Sequence, residues 1–180
     1  MRLTPEQEIG TKFEIWMEQL LKDNDYLLVR RNVQYYQSRF AYRQVDLEYQ
    51  DLHLFNSLVI MELKYSHHRE LPLQLRRPIT KAGQLQRIDT VLDEVEERRL
   101  FVSARKAVVV TNGYFSPEMW QELRDYSKLE LYDQRKLALL DRERRGLIDL
   151  FQPRGGIEEQ IRQIDLHKYQ NKKLFRVKMK

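Results

Sequence analysis

Residues 57–66 read Ser57-Leu58-Val59-Ile60-Met61-Glu62-Leu63-Lys64-Tyr65-Ser66. Leu58 to Met61 is an unbroken apolar run, the pattern of a central strand covered on both faces. Glu62 and Lys64 then interrupt it. Side chains two apart on a strand share a face, so these two project together and Leu63 turns away. Charges set in such a run are costly to bury without partners, and something must compensate them. The nearest upstream candidate is Asp46 in QVDLEYQ, residues 44–50. There Val45, Leu47 and Tyr49 alternate with Gln44, Asp46 and Glu48, which predicts a half-buried strand with one apolar face. If the two strands pair, Asp46 lies beside Glu62.

The flanking elements follow from the same kind of reading. Thr4, Pro5 and Gln7 carry the marks of a capped helix start, and Ile9, Phe13, Trp16, Met17 and Leu20 recur at helical spacing up to about Asp23. YLLVRRNVQYYQ (26–37) predicts a strand, and SRFAYR (38–43) a turn. HHRELPLQLRRPIT (67–80) predicts an exposed loop with two prolines. A helix is expected from about Thr80 to Glu97, with Leu85, Ile88, Leu92 and Val95 on one face. A buried strand over Ala107–Asn112 is followed by a helix opened by Ser116 and Pro117, carrying Met119, Trp120 and Leu123. LELYD (129–133) predicts a short strand and DQRKLALLDRERR (133–145) a helix. A short helix is expected from Ile157 to His167. The fold class is therefore α/β, a mixed sandwich around a central sheet. Close early strands suit antiparallel hairpins, and later strands separated by helices suit parallel crossovers. Residues 1–145 are expected to form the domain, and residues 146–180 a helical extension with a basic tail.

Composition bounds the chemistry. The chain has 180 residues, no Cys and a net charge of +5. Disulfide frameworks and thiolate metal sites are excluded. No apolar run reaches the length of a membrane span, and the N-terminus lacks a signal peptide's apolar region, so a soluble cytoplasmic protein is expected. Residues 1–60 carry 7 basic and 9 acidic side chains, whereas residues 121–180 carry 15 and 10. The final HKYQNKKLFRVKMK, with Lys172 and Lys173, has no acid and suits either a polyanion or a solvated terminus.

Two neighbouring carboxylates repel unless a positive charge sits between them. A divalent cation supplies it, and Mg²⁺ prefers hard oxygen ligands with retained waters. Asp46 and Glu62 are the candidate ligands. Lys64 would then orient or deprotonate an attacking water, or offset transition-state charge. The plainer alternative is a structural ion pair involving Lys64. Glu14, at the edge of the first helix's apolar stripe, either reaches this pocket or is an ordinary boundary acid. Gln84 and Lys81 open the next helix, where a first turn favours phosphate or is merely solvated. His67 and His68 follow the strand with no second pair to complete a zinc site. With Arg69, Arg76 and Arg77 they make a loop suited to phosphate contact. Glycine is too scarce for a nucleotide-binding fingerprint at Thr111-Asn112-Gly113.

These residues resemble the PD-(D/E)xK nuclease superfamily, and within it the Mrr-like restriction endonuclease catalytic domains. The resemblance spans roughly Gly10 to Leu140. Gly10, Phe13 and Glu14 match the first-helix pattern, Asp46 the metal-binding acid, and Glu62 and Lys64 the (D/E)xK pair. Val108–Asp125 resembles the strand-turn-helix that follows, and LELYD with KLALL the last strand and helix. Val45 stands where the motif's name has Pro, and Glu62 where many Mrr-like domains have Gln. The resemblance implies a restriction-endonuclease-like fold, a central mixed sheet flanked by helices. It implies Mg²⁺-dependent hydrolysis of DNA phosphodiesters, with Mn²⁺ as a substitute ion. Asp46, Glu62 and the Leu63 carbonyl would hold the metal, Lys64 would act on water, and Glu14 would support the site. A homodimer would supply one site per strand, and a partner subunit could recognise the target. The alternative on the same fold is an inactive DNA-binding or assembly module.

Overall fold

The computed structural model describes residues 3–38, 41–51, 57–67, 70–71, 90–144, 155–169 and 174–179. Helix α1 (Pro5–Asp23) leads into strands β1 (Leu27–Tyr36), β2 (Tyr42–Asp51) and β3 (Ser57–Lys64). After β4 (Glu70–Leu71) come α2 (Val91–Phe101), β5 (Lys106–Thr111), β6 (Tyr114–Phe115) and α3 (Pro117–Glu122). Then follow β7 (Leu129–Tyr132), α4 (Gln134–Arg144), α5 (Ile157–Arg162) and β8 (Phe175–Lys178). Six strands form one sheet in the order β7-β5-β3-β2-β1-β8. β1–β2 and β2–β3 pair antiparallel, whereas β3–β5, β5–β7 and β1–β8 pair parallel. The expected α/β architecture, a mixed sheet flanked by helices, is the one observed.

The starts of α1 and α2 are set locally. Thr4 accepts a hydrogen bond from the Gln7 amide at 3.3 Å, and the Gln7 side chain accepts from the Thr4 amide at 3.0 Å. The expected capping box is therefore formed. Of the helix expected from about Thr80 to Glu97, residues 80–89, with Leu85 and Ile88, lie outside the described residues; Thr90 interrupts it, and α2 starts at Val91 and runs on to Phe101. Thr90 is its extended N-cap, tied to the Asp93 amide at 3.1 Å, with the Asp93 carboxylate returning to the Thr90 amide. That reciprocal cap, rather than the apolar period, sets the start.

The sheet is covered on both faces. One face packs Val33, Tyr35, Val45, Ile60 and Val109 against Val91, Leu92 and Val95 of α2 and Met119 of α3. The other packs Leu47, Tyr49, Val59, Met61, Val108 and Val110 against α1, α4 and α5. β3 sits centrally with both faces covered, as its apolar run requires.

The β2 pattern needs correcting. Val45 belongs to the α2 layer, but Leu47 and Tyr49 belong to the α1 layer, so they do not share a face. β1 changes face alongside it: Arg31 meets α1, while Val33 and Tyr35 face α2. The switch lies at Asn32 and Asp46, between the pairs Arg31↔Leu47 and Val33↔Val45. Asn32 has φ +56°, the left-handed region that Asn tolerates better than most residues, and it breaks the period-2 rule there. Glu48 consequently lies inside, not on a polar outer face. It accepts from the Tyr35 hydroxyl at 2.5 Å and pairs with Arg30.

Downstream, Trp120 is largely exposed while Met119 is buried, so α3 presents less of its apolar set than expected. The expected helix from Ile157 to His167 is shorter, ending at Arg162 before a 3₁₀ turn at Leu166–Tyr169. α5 docks on α1 through fully buried Ile161 and through Gln160, which accepts from Trp16 Nε1 at 3.2 Å. The basic tail is part of the sheet, with Val33↔Phe175 to Tyr36↔Lys178 in parallel register. Within the expected loop at residues 67–80, Glu70–Leu71 pairs with Tyr114–Phe115 as a short strand.

Candidate functional site

Asp46, Glu62 and Lys64 meet where β2 and β3 part. The register Glu48↔Ile60 and Leu47↔Met61 continues towards Asp46 and Glu62. One Asp46 oxygen accepts the Leu63 amide at 2.8 Å, which fixes the carboxylate against the β3 backbone. Lys64 Nζ donates to Glu62 Oε1 at 2.5 Å, as expected for side chains two apart on a strand. Glu62 is only 6% exposed, although it ends an apolar run. Leu63 packs into the opposite layer, and only its backbone borders the site.

Glu62's second partner was not anticipated from sequence. Arg98, on α2, forms an ion pair with Glu62 Oε2, an oxygen with no hydrogen bond of its own. Arg98 lies one turn beyond Val95 on the buried stripe of α2. An arginine on that stripe calls for a buried acid, and this is the signal that could have found it. Burial lowers the Arg98 pKa, opposed by the Asp46 charge.

Glu14 lies on the α1 side of these residues, near enough to feel the Asp46 charge. It pairs with Arg31 at 3.3 Å and accepts from Asn32 Nδ2 at 3.4 Å. Arg31 is itself buried and also holds Glu18 at 3.2 Å. Burial, helped by the nearby Asp46 charge and opposed by Arg31, pushes the Glu14 pKa up to about 7. Burial also raises Asp46, against the opposing effects of the Leu63 amide, Lys64 and Arg98. Three carboxylates, Glu14, Asp46 and Glu62, are thus gathered with three cations, Arg31, Lys64 and Arg98.

His67 is exposed beyond β3, its ring against Tyr65 with centroids 5.2 Å apart. His68, Arg69, Arg76, Arg77, Lys81, Gln84, Lys172 and Lys173 lie outside the described residues. Among the described residues no group of three or more His, Asp or Glu side chains is placed to hold a metal ion. The candidate donors are the carboxylates of Asp46 and Glu62, the latter already paired with Lys64 and Arg98. That set fits Mg²⁺, which typically takes one or two protein carboxylates and completes its shell with water and phosphate oxygen. No helix among the described residues is long and apolar enough to cross a membrane.

No family model matches the chain, and no curated protein does. Solved structures similar to it include the protein of unknown function AF1548, at 14% identity and TM-score 0.48, covering 68% of this chain and 57% of that one. VC1899 from Vibrio cholerae is similar at 19% identity and TM-score 0.45, covering 72% of this chain and 30% of that one. The MspJI restriction endonuclease, solved with a 27-mer oligonucleotide, is similar at 17% identity and TM-score 0.35. That likeness covers 74% of this chain and 28% of MspJI; the chain spans less than two thirds of each of these neighbours.

Proposed function

We propose that the chain is a Mg²⁺-dependent DNA endonuclease of PD-(D/E)xK type, with the restriction-endonuclease-like fold. The observation that carries this reading is the meeting of Asp46, Glu62 and Lys64 at one point of the β2–β3 pair, with Asp46 fixed by the Leu63 amide. Asp46, Glu62 and the Leu63 carbonyl would hold the ion. When bound, it would polarise the scissile phosphate and lower the pKa of a coordinated water. Lys64, beside Glu62, would orient the attacking water and offset charge on the phosphate oxygens. Glu14 would hold a proton below about pH 7 and supply further negative charge above it. Double-strand cleavage would need a homodimer or a partner subunit, one site per strand.

The pairing of Glu62 with both Lys64 and Arg98 favours a second reading. Cations already neutralise this carboxylate, as an inactive DNA-binding or assembly module would require. One experiment separates the two. Plasmid, duplex and four-way-junction DNA are incubated with Mg²⁺ or Mn²⁺ and either the wild type or Lys64→Ala. Metal-dependent cleavage lost in the variant supports the nuclease. Binding with equal, background-level cleavage by both proteins supports the module.

A further inference from the structure

Past Asp46, β1 and β2 continue as a hairpin beyond the reach of β3, and β8 lies alongside β1. Among the described residues, one face is covered here and the other is open. Arg43 points to α2, pairing with Glu97 and stacking over Phe101, while Val177 joins the α2 cluster. Their neighbours Tyr42, Gln44, Arg176 and Lys178 therefore face the opposite way, together with Gln34 and Tyr36. Register sets these six in two rows across three strands, Gln44–Gln34–Arg176 and Tyr42–Tyr36–Lys178. No carboxylate is among them. A concavity of about 480 Å³ opens on this face, lined by Gln34, Tyr36, Ser38, Tyr42 and Arg176.

The patch is joined to the site already described. Gln44 donates to Asn32 at 3.3 Å, and Asn32 donates to Glu14 at 3.4 Å. Along β2 the rows stand about 7 and 14 Å from Asp46, at about 3.4 Å per residue. Cations suit phosphates, amides suit base edges, and tyrosine rings suit base faces. In a duplex the base faces are hidden in the stack, so exposed rings select an unpaired strand. Tyr42 is 51% exposed.

We propose that this open face seats an unpaired DNA strand leading to the carboxylates, with bases on Tyr36 and Tyr42 and phosphates at Arg176 and Lys178. The proposal rests on the nuclease reading for what the strand is delivered to, but its test does not. Binding of a fluorescent single-stranded oligodeoxynucleotide and of its duplex is measured in EDTA, where no cleavage occurs. The wild type is expected to bind the single strand more tightly. Arg176→Glu with Lys178→Glu should weaken it by about tenfold or more at low salt, and the log–log salt slope should fall by about 1.4. Tyr42→Ala should weaken it by about 5- to 150-fold, the usual worth of a stacked base. Unchanged circular dichroism and melting of these surface variants exclude misfolding. Single-strand binding that all these variants retain within twofold, or duplex bound as tightly as single strand, overturns the proposal. So does a self-associating dimer that the variants dissolve, since a second copy would then occupy the face. Cleavage failing while variant-sensitive binding persists overturns the nuclease reading and leaves the strand seat standing.

Discussion

Replacing Arg98 by Met removes one of two cations beside a carboxylate with a 7% exposed side chain, while keeping most of the arginine stem's volume. Removing one partner of a buried ion pair costs about 3–5 kcal/mol, because the other charge stays in a poorly solvated place. Lys64 remains 2.5 Å from Glu62, and Arg98 is itself 21% exposed, so the low end applies. We expect a loss of about 3 kcal/mol, or about 6–12 °C in Tm for a chain of this size. Urea unfolding at pH 8 in EDTA measures it, with the m-value unchanged. Glu62→Gln in the Arg98→Met background should recover more than half of the loss, since the stranded charge is gone. A single variant within about 0.5 kcal/mol of wild type, or a strictly additive double variant, would refute the view that Arg98 compensates Glu62.

Glu14 carries a pH dependence of definite sign. Its folded pKa is raised to about 7, so its contribution is fully present below about pH 4.5 and is lost as pH rises through 7. At 1.36 kcal/mol per pKa unit this amounts to about 3 kcal/mol as an upper bound. Glu14→Gln should therefore gain stability relative to wild type between pH 5 and 8.5 in EDTA, and parallel profiles would sink the assignment. Gln160→Leu strips the hydrogen bonds to Trp16, Asp141 and the Gly155 carbonyl, and should cost about 2–3 kcal/mol through the loss of these buried bonds. A urea midpoint unchanged from wild type would show that α5 is not anchored there. Mg²⁺ titrated into Arg98→Met should raise its Tm more than that of the wild type, because the cation replaces the missing charge at Glu62. An equal shift in both proteins would place the ion elsewhere.

Much of this molecule is written locally. The Thr4–Gln7 capping box, the apolar run before Glu62 and the shared face of Glu62 and Lys64 each follow from backbone geometry over a few residues, and each forms as expected. The switch of face at Asn32 and Asp46 was hidden, because alternation assumes an unbroken extended chain and one left-handed residue is enough to break it. The break at Thr90 before α2 is invisible to apolar spacing for a related reason. Apolar spacing marks a helix face, whereas a hydrogen-bonding cap marks its end. What only the tertiary structure decided is which distant charges meet. Arg98 reaches Glu62 because α2 packs over β3, and the C-terminal cations reach the open face because β8 adds to β1 in parallel. Periodicity within one element holds no information about the element packed against it. The sequence alone determined the acids and the lysine beside Glu62, and packing determined which further cations meet them.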